Sequence, residues 1–408
     1  MNYFNVEYPD LCGTTRMWVQ RYEKKRNYHS KNKYFLSNGH ELRINSLSLQ
    51  KNKKYMEKTV CILAGARPNF IKVSPLVRAI GKNPETHCLL VYAGCEDDPT
   101  LEPSLFDDLQ MPRPQYYLGV NSTSLNEITS QVMAAFDHFL DEHPVDVVIV
   151  VDDLASTMAA AIVTKKRGIR LAHLVAGTRS FNINMPKEIN RLVIDALSDY
   201  LFTAGVRSTG IANREQSENS QTFMVGNILM DTLRFNYSRF RRPTSLPDLQ
   251  EGSYIVFTLN RKALIADTDN LALMLQAMTE AAGPVPIIAP LRGLARDTVQ
   301  KLGTSVQIIE PLSYLEFGWL TAHAKGVITD SGNVSEEATF NGVPCITLNN
   351  YTEHQETVSV GSNVLVGEDA EKLRSAVSQM VSGEWKKCAL PDRWDGRTAE
   401  RIVQILLA

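Results

Sequence analysis

From Thr59 onward, short apolar runs alternate with longer stretches whose apolar residues recur at helical spacing. In the first half the runs read TVCILAG, HCLLVYA, DVVIVV, IRLAHL, YLFTA and TFMVG; in the second they read YIVFT, VPIIAP, VQIIE, GVITD, PCITL and NVLVG. Runs this short, apolar on both faces, have the pattern of parallel strands buried between helices. Their alternation with helical segments is that of βαβ units. Six such strands per half predict an α/β protein of two Rossmann-like, doubly wound domains facing each other across a cleft.

The expected organisation is an extension over residues 1–57, a first Rossmann-like domain over 58–226 and a second over 227–395. A last helix, residues 396–408 (GRTAERIVQILLA), is expected to cross back onto the first domain. The extension breaks the rhythm. RYEKKRNYHSKNKYF and LQKNKKYMEK are basic and polar without clear period, which predicts loose order. Its basic face suits an anionic partner; alternatively the protein starts at Met56, just ahead of the first strand.

At 408 residues the chain is long for one core, in keeping with two domains. A net charge of −2 gives no overall pull toward nucleic acid or an anionic membrane. Six scattered cysteines include no C-x-x-C pair, so neither a zinc site nor a disulfide framework is expected. No apolar stretch approaches the roughly 20 residues that span a bilayer, and the start lacks the apolar segment of a signal peptide. The expected compartment is the cytoplasm, and no metal or cofactor is expected.

The stretch GVITDSGNVSEEATFNGVPCI, Gly326 to Ile346, carries candidate chemistry. A strand stops at Asp330, and a helix starts at Ser331-Gly332-Asn333. Ligands of open α/β sheets lie beyond such strand ends. Unpaired N–H groups and the helix dipole favour an anion there. Glu336 and Glu337 follow, where a carboxylate can accept bonds from two ribose hydroxyls. The plainer alternative makes Ser331 an N-cap and the glutamates surface charge. Asp152 and Asp153 form a second candidate at a strand end; as neighbours they are expected to point to opposite sides.

Several segments together resemble the non-hydrolysing UDP-N-acetylglucosamine 2-epimerases: LAGARPNFIKVSPLVRAI, VIVVDDLASTMAAAIVTKKRGIRLAHLVAGTRS, PKEINRLVIDALSDYLFTAG, MVGNILMDTL, EPLSYLEFGWL and LTAHAKGVITDSGNVSEEATFNGVPCITL. The resemblance runs from about Thr59 to the C-terminus and implies the GT-B architecture. It implies a homodimer, and an enzyme that interconverts UDP-GlcNAc and UDP-ManNAc for surface polysaccharide by eliminating and re-adding UDP. It places Arg67 and Lys72 beside the reacting centre and gives Asp153 the surviving acid–base role. His173, Arg179, Asn260, Arg261, Arg292, Ser331, Gly332, Asn333, Glu336, Glu337 and His354 fall on its substrate-binding positions.

The departures are specific. Val175 stands where the family has a glutamate, Lys187 where it has a second, Asn260 where it has a histidine, and Val151 where the HGD motif has its histidine. Valine cannot accept a proton. Lys187 could do so only with a pKa far below about 10.4. Glu188 could stand in for Lys187 only through a register slip, since one helical step rotates a side chain by about 100°. The resemblance therefore leaves three readings: a 2-epimerase, a catalytically degenerate UDP-sugar binder, or a glycosyltransferase or UDP-sugar-hydrolysing variant. The segment AGCEDDPTLEPSLF lacks the family's activating-site motif, so substrate activation is not expected.

Overall fold

The computed structural model describes residues 57–408, together with a two-residue antiparallel pairing of Tyr34–Phe35 with Glu41–Leu42. The expectations for the rest of the extension lie outside the described residues. Every apolar run in the sequence becomes a strand. The first sheet comprises β1 (Lys58–Ala64), β2 (Thr86–Tyr92), β3 (Tyr116–Tyr117), β4 (Val147–Val151), β5 (Arg170–Ala176), β6 (Tyr200–Thr203) and β7 (Gln221–Met224). All pairings are parallel and the order is β3-β2-β1-β4-β5-β6-β7. The sequence reading missed β3, an edge strand of two residues too short to carry a period.

The second sheet comprises β8 (Ile255–Phe257), β9 (Ile287–Pro290), β10 (Gln307–Ile309), β11 (Gly326–Thr329), β12 (Cys345–Thr347) and β13 (Asn363–Leu365). It is also wholly parallel, in the order β10-β9-β8-β11-β12-β13. Strand order reverses between β1 and β4 in one sheet and between β8 and β11 in the other. Such switch points open a crevice at the strands' carboxyl ends.

Central strands are buried on both faces, as Val147–Val151 illustrates. The helix Thr398–Leu407 adds Ile402 and Leu406 to the same core as Phe70 and Ile80 of the helix Arg67–Lys82. Its start is fixed by Asp231, whose carboxylate accepts from the N–H groups of Thr398 (3.0 Å) and Ala399 (2.8 Å). Among the described residues no helix is long and apolar enough to cross a membrane.

Candidate active site

A cavity of about 270 Å³ lies between the two switch points. The first lobe contributes Asn69 and Lys72 after β1, Asp152 and Asp153 after β4, His173, Val175 and Thr178 around the end of β5, and Lys187 and Arg191 from the helix Pro186–Leu197. The second lobe contributes Ser331, Gly332 and Asn333 after β11, with Glu353 and His354.

The turn after β1 is built by Asn69. Its Oδ1 accepts from the N–H groups of Gly65 (2.8 Å) and Ala66 (3.2 Å), and its Nδ2 donates to Asp152 Oδ2 at 2.9 Å. Lys72, one turn on, brings Nζ to 2.6 Å from Asp152 Oδ1. Burial alone would push Lys72 down, but Asp152, with Glu336 and Asp153 behind it, holds the ammonium above its ordinary value. Asp152 and Asp153 line the same cavity, contrary to the opposite-sides expectation. The strand ends at Val151, and Asp152 adopts a left-handed φ of 60°, which breaks the alternation.

Asp153 is clamped by cations. Arg191 Nε donates to its Oδ2 at 2.8 Å, and Lys187 Nζ lies 3.6 Å from its Oδ1. Burial would raise this carboxyl, but Lys187, Arg191 and Lys72 together hold it below the usual range. It is thus a carboxylate at neutral pH, available as an acceptor but weak as a base.

His173 is buried, with Nδ1 2.5 Å from Asp195 Oδ1 and Nε2 2.9 Å from the Asp152 carbonyl oxygen. Both ring nitrogens are committed to protein oxygens, so the ring positions Asp152 rather than moving a substrate proton. Asp195 would be raised by burial, yet His173 and Arg179 hold it low. Val175 sits where the pairing of β5 with β6 shifts register, at φ 74°. A β-branched residue in that region is a genuine backbone outlier. Gly177 has φ +72°, and a Cβ there would lie 2.1 Å from the Ser208 carbonyl oxygen.

On the second lobe, the helix Gly332–Asn341 presents a bare N-terminus to the cavity. Ser331 occupies the N-cap position, but its side chain makes no capping hydrogen bond, and a Cβ on Gly332 would meet nothing within 4 Å. Glu336 and Glu337 are buried rather than surface charge. Glu336 Oε1 accepts from Asn227 Nδ2 at 2.6 Å and lies 3.1 Å from His354 Nδ1. Burial first, and Glu336 next, push Glu337 up to about 8, with Lys72 pulling the other way.

Eight of the expected site residues do not line the cavity. Arg67 turns to Glu102 at 2.8 Å. Arg179 is locked between Asp195 (2.7 Å) and Glu215 (3.0 Å). Arg261 pairs with Glu368 at 2.7 Å, and Asn260 is held through its backbone N–H by Asp330 Oδ2, also at 2.7 Å. Arg292 is exposed at the start of the helix Gly293–Lys301, and Glu336 and Glu337 sit behind Ser331. Glu188 accepts from Ser180 N–H and Oγ at 2.8 Å and from Phe181 N–H at 3.0 Å, so it fastens the preceding loop. No register slip brings it in, and Lys187 keeps the cavity-facing position. Asn69, Thr178 and Glu353 line the cavity without having been singled out. The asparagine in ARPNF, three residues past a strand-end turn, was the one available signal among them.

A family profile described as UDP-N-acetylglucosamine 2-epimerase matches residues 78–407. The chain is 33% identical over 363 residues to the UDP-N-acetylglucosamine 2-epimerase of Methanocaldococcus jannaschii, covering 85% of this chain and 98% of that protein. This chain belongs to the UDP-N-acetylglucosamine 2-epimerase family. It is also 34% identical over 313 residues to the Pseudomonas aeruginosa UDP-2,3-diacetamido-2,3-dideoxy-D-glucuronate 2-epimerase, covering 76% of this chain and 88% of that one. The crystal structure of the M. jannaschii enzyme in complex with UDP-GlcNAc and UDP superposes with a TM-score of 0.76 at 32% identity, covering 86% of this chain and 99% of that one. The two lobes are thus the two Rossmann-like domains of a GT-B epimerase fold. Within this 2-epimerase-family chain, Val175 and Lys187 face the cavity where the resemblance expects carboxylates, whereas Asn260 stands outside it.

Proposed function

We propose that this protein binds UDP-GlcNAc in the cavity between its lobes and acts on it as a cytoplasmic UDP-N-acetylglucosamine 2-epimerase, making UDP-ManNAc for surface polysaccharide. One observation carries this reading. The uncapped N-terminus at Ser331-Gly332-Asn333 faces the same cavity as Lys72 and Asp153 of the other lobe. The helix end and the Ser331 hydroxyl suit the diphosphate; Glu337, behind them, suits the ribose. Lys72 and Lys187 bring positive charge to the departing UDP, a contribution that counts most where charge develops. Asp153 is the carboxylate left to exchange a proton at the sugar. A homodimer goes with this reading through the family resemblance.

A second reading is favoured by the cation clamp on Asp153 and by Val175, which together leave little to take a C2 proton: a UDP-sugar binder without turnover. Proton NMR of UDP-GlcNAc with the protein in heavy water separates the two. The epimerase exchanges the C2 hydrogen for deuterium and yields the epimer. Binding by calorimetry with neither exchange nor UDP release supports the binder and overturns the epimerase.

A further inference from the structure

Away from the cavity, a groove of about 840 Å³ lies among the helices Arg67–Lys82, Ile228–Asn236 and Thr398–Leu407. Four cations line it: Arg78, Lys82, Arg234 and Arg397. Its floor is apolar, with Pro75, Phe235 and Val403. Its size is that of small-molecule sites, about 300–1,000 Å³.

The cations are held without direct ion pairs among the described residues. Arg78 donates to the Leu109 carbonyl oxygen at 2.5 Å and lies 3.8 Å over the Phe235 ring, which fixes its guanidinium in place. Arg234 donates to the Asp395 carbonyl oxygen at 3.0 Å. Among the described residues, none of the four forms an ion pair, and the side chains of Lys82 and Arg397 make no hydrogen bond. Two acids touch the groove. Glu400 is on its exposed rim, and Asp231 is buried and committed to the two N–H groups that open the last helix. Burial raises the Asp231 carboxyl, against the two backbone N–H bonds that favour its charged form. Burial pushes Arg78 down to about 10, with Arg239 adding to the effect and Tyr314 and Asp231 opposing it.

We propose that this groove binds a small phosphate-bearing anion, held by the fixed guanidinium of Arg78 and closed over by Lys82, Arg234 and Arg397. Three arginines suit the planar forks that recognise phosphate oxygens.

Inorganic pyrophosphate is the probe, titrated by calorimetry into full-length protein saturated with UDP, so that any diphosphate site in the cavity is already filled. One binding event is expected, weakening with added salt. The double substitution Lys82→Glu with Arg397→Glu, two exposed side chains without ion-pair partners among the described residues, is expected to weaken it at least tenfold while leaving UDP affinity unchanged. No pyrophosphate binding, or equal binding by the double variant, overturns the site. Retention on phosphatidylglycerol vesicles or an acidic polypeptide without pyrophosphate binding also overturns it, in favour of a macromolecular partner. Should the cavity bind no UDP, the wild-type and variant isotherms for pyrophosphate still differ, so this site and the proposed function fail separately.

Discussion

Arg191 of the first lobe and Glu353 of the second meet at 2.7 Å, and the same guanidinium holds Asp153. One buried cation therefore ties the second lobe to the carboxylate that faces the cavity. Glu353→Ala removes the cross-lobe partner while leaving Arg191 paired with Asp153 and Glu188. A loss of stability of about 1.5–3 kcal/mol is expected, the usual worth of a hydrogen bond to a charged group. The effect stays modest because the cross-lobe bond from Arg207 N–H to Glu356 Oε1 (3.3 Å) remains. The variant should show a larger radius of gyration by small-angle scattering and a several-fold weaker UDP affinity. Unchanged scattering and affinity would show that Glu353 does not govern closure.

The glutamate behind the helix N-terminus predicts a pH effect of definite sign. Glu337 is raised to about 8, against an ordinary value of about 4.3. Between those values the folded chain keeps a proton that the unfolded chain has lost, so its contribution to stability falls as pH rises through the window and levels off above about 8. Glu337→Gln removes that slope. In thermal melts from pH 5 to 8.5, the variant should gain on the parent at the alkaline end, by on the order of 2–5 kcal/mol. Ribose hydroxyls donating to Glu337 would favour its charged form. UDP binding near pH 7 should then release a proton, seen as a dependence of binding heat on buffer ionisation enthalpy, and the release should vanish in the variant. A buffer-independent heat would remove Glu337 from the ligand's contacts.

The two sheets could be read directly from the chain because a buried parallel strand needs an apolar run and little else; VVIVV and CIT show this even at three to five residues. The strand-end position of Ser331-Gly332-Asn333 followed from the same logic. Side-chain aim did not. Arg179 reaches Asp195 and Glu215, 16 and 36 positions away, and no local pattern encodes that choice. Asp152 escaped because one left-handed φ overrides strand alternation. Glu353 escaped because its partner is on the other lobe.

Val175 predicts an unusual response to truncation. Val→Gly in a partly buried position normally costs stability through lost packing and greater chain entropy. Here the valine is held at φ 74°, a conformation that costs a non-glycine residue on the order of 1–3 kcal/mol and that glycine adopts freely. Val175→Gly should therefore lie within about 1 kcal/mol of the parent in denaturant melts, against the roughly 2 kcal/mol or more expected where φ is negative. A large loss would mean that Val175 packing outweighs the strain.

Asp153 gives the sharpest test of turnover. Its neighbours Lys187, Arg191 and Lys72 keep it ionised, and the epimerase reading makes this carboxylate the group that accepts or returns a sugar proton. Asp153→Asn keeps the shape and the acceptor oxygen but cannot carry a proton. Arg191 retains Glu188 at 3.1 Å and Glu353 at 2.7 Å, so the helix that carries it keeps its anchors. The epimerase reading predicts a fall of about 10²–10⁴-fold in the rate of C2 deuterium incorporation, the range of a lost general acid–base group, with UDP affinity changed by no more than a few-fold. Substituting Lys187→Glu in the parent puts a carboxylate beside Asp153 and removes one of its clamping cations. It should raise the exchange rate if proton transfer limits turnover. Equal exchange by the parent and Asp153→Asn would take Asp153 out of the chemistry. An absence of exchange in the parent, in the variant and after Lys187→Glu, with UDP still bound, would leave a protein that holds the nucleotide sugar without turning it over.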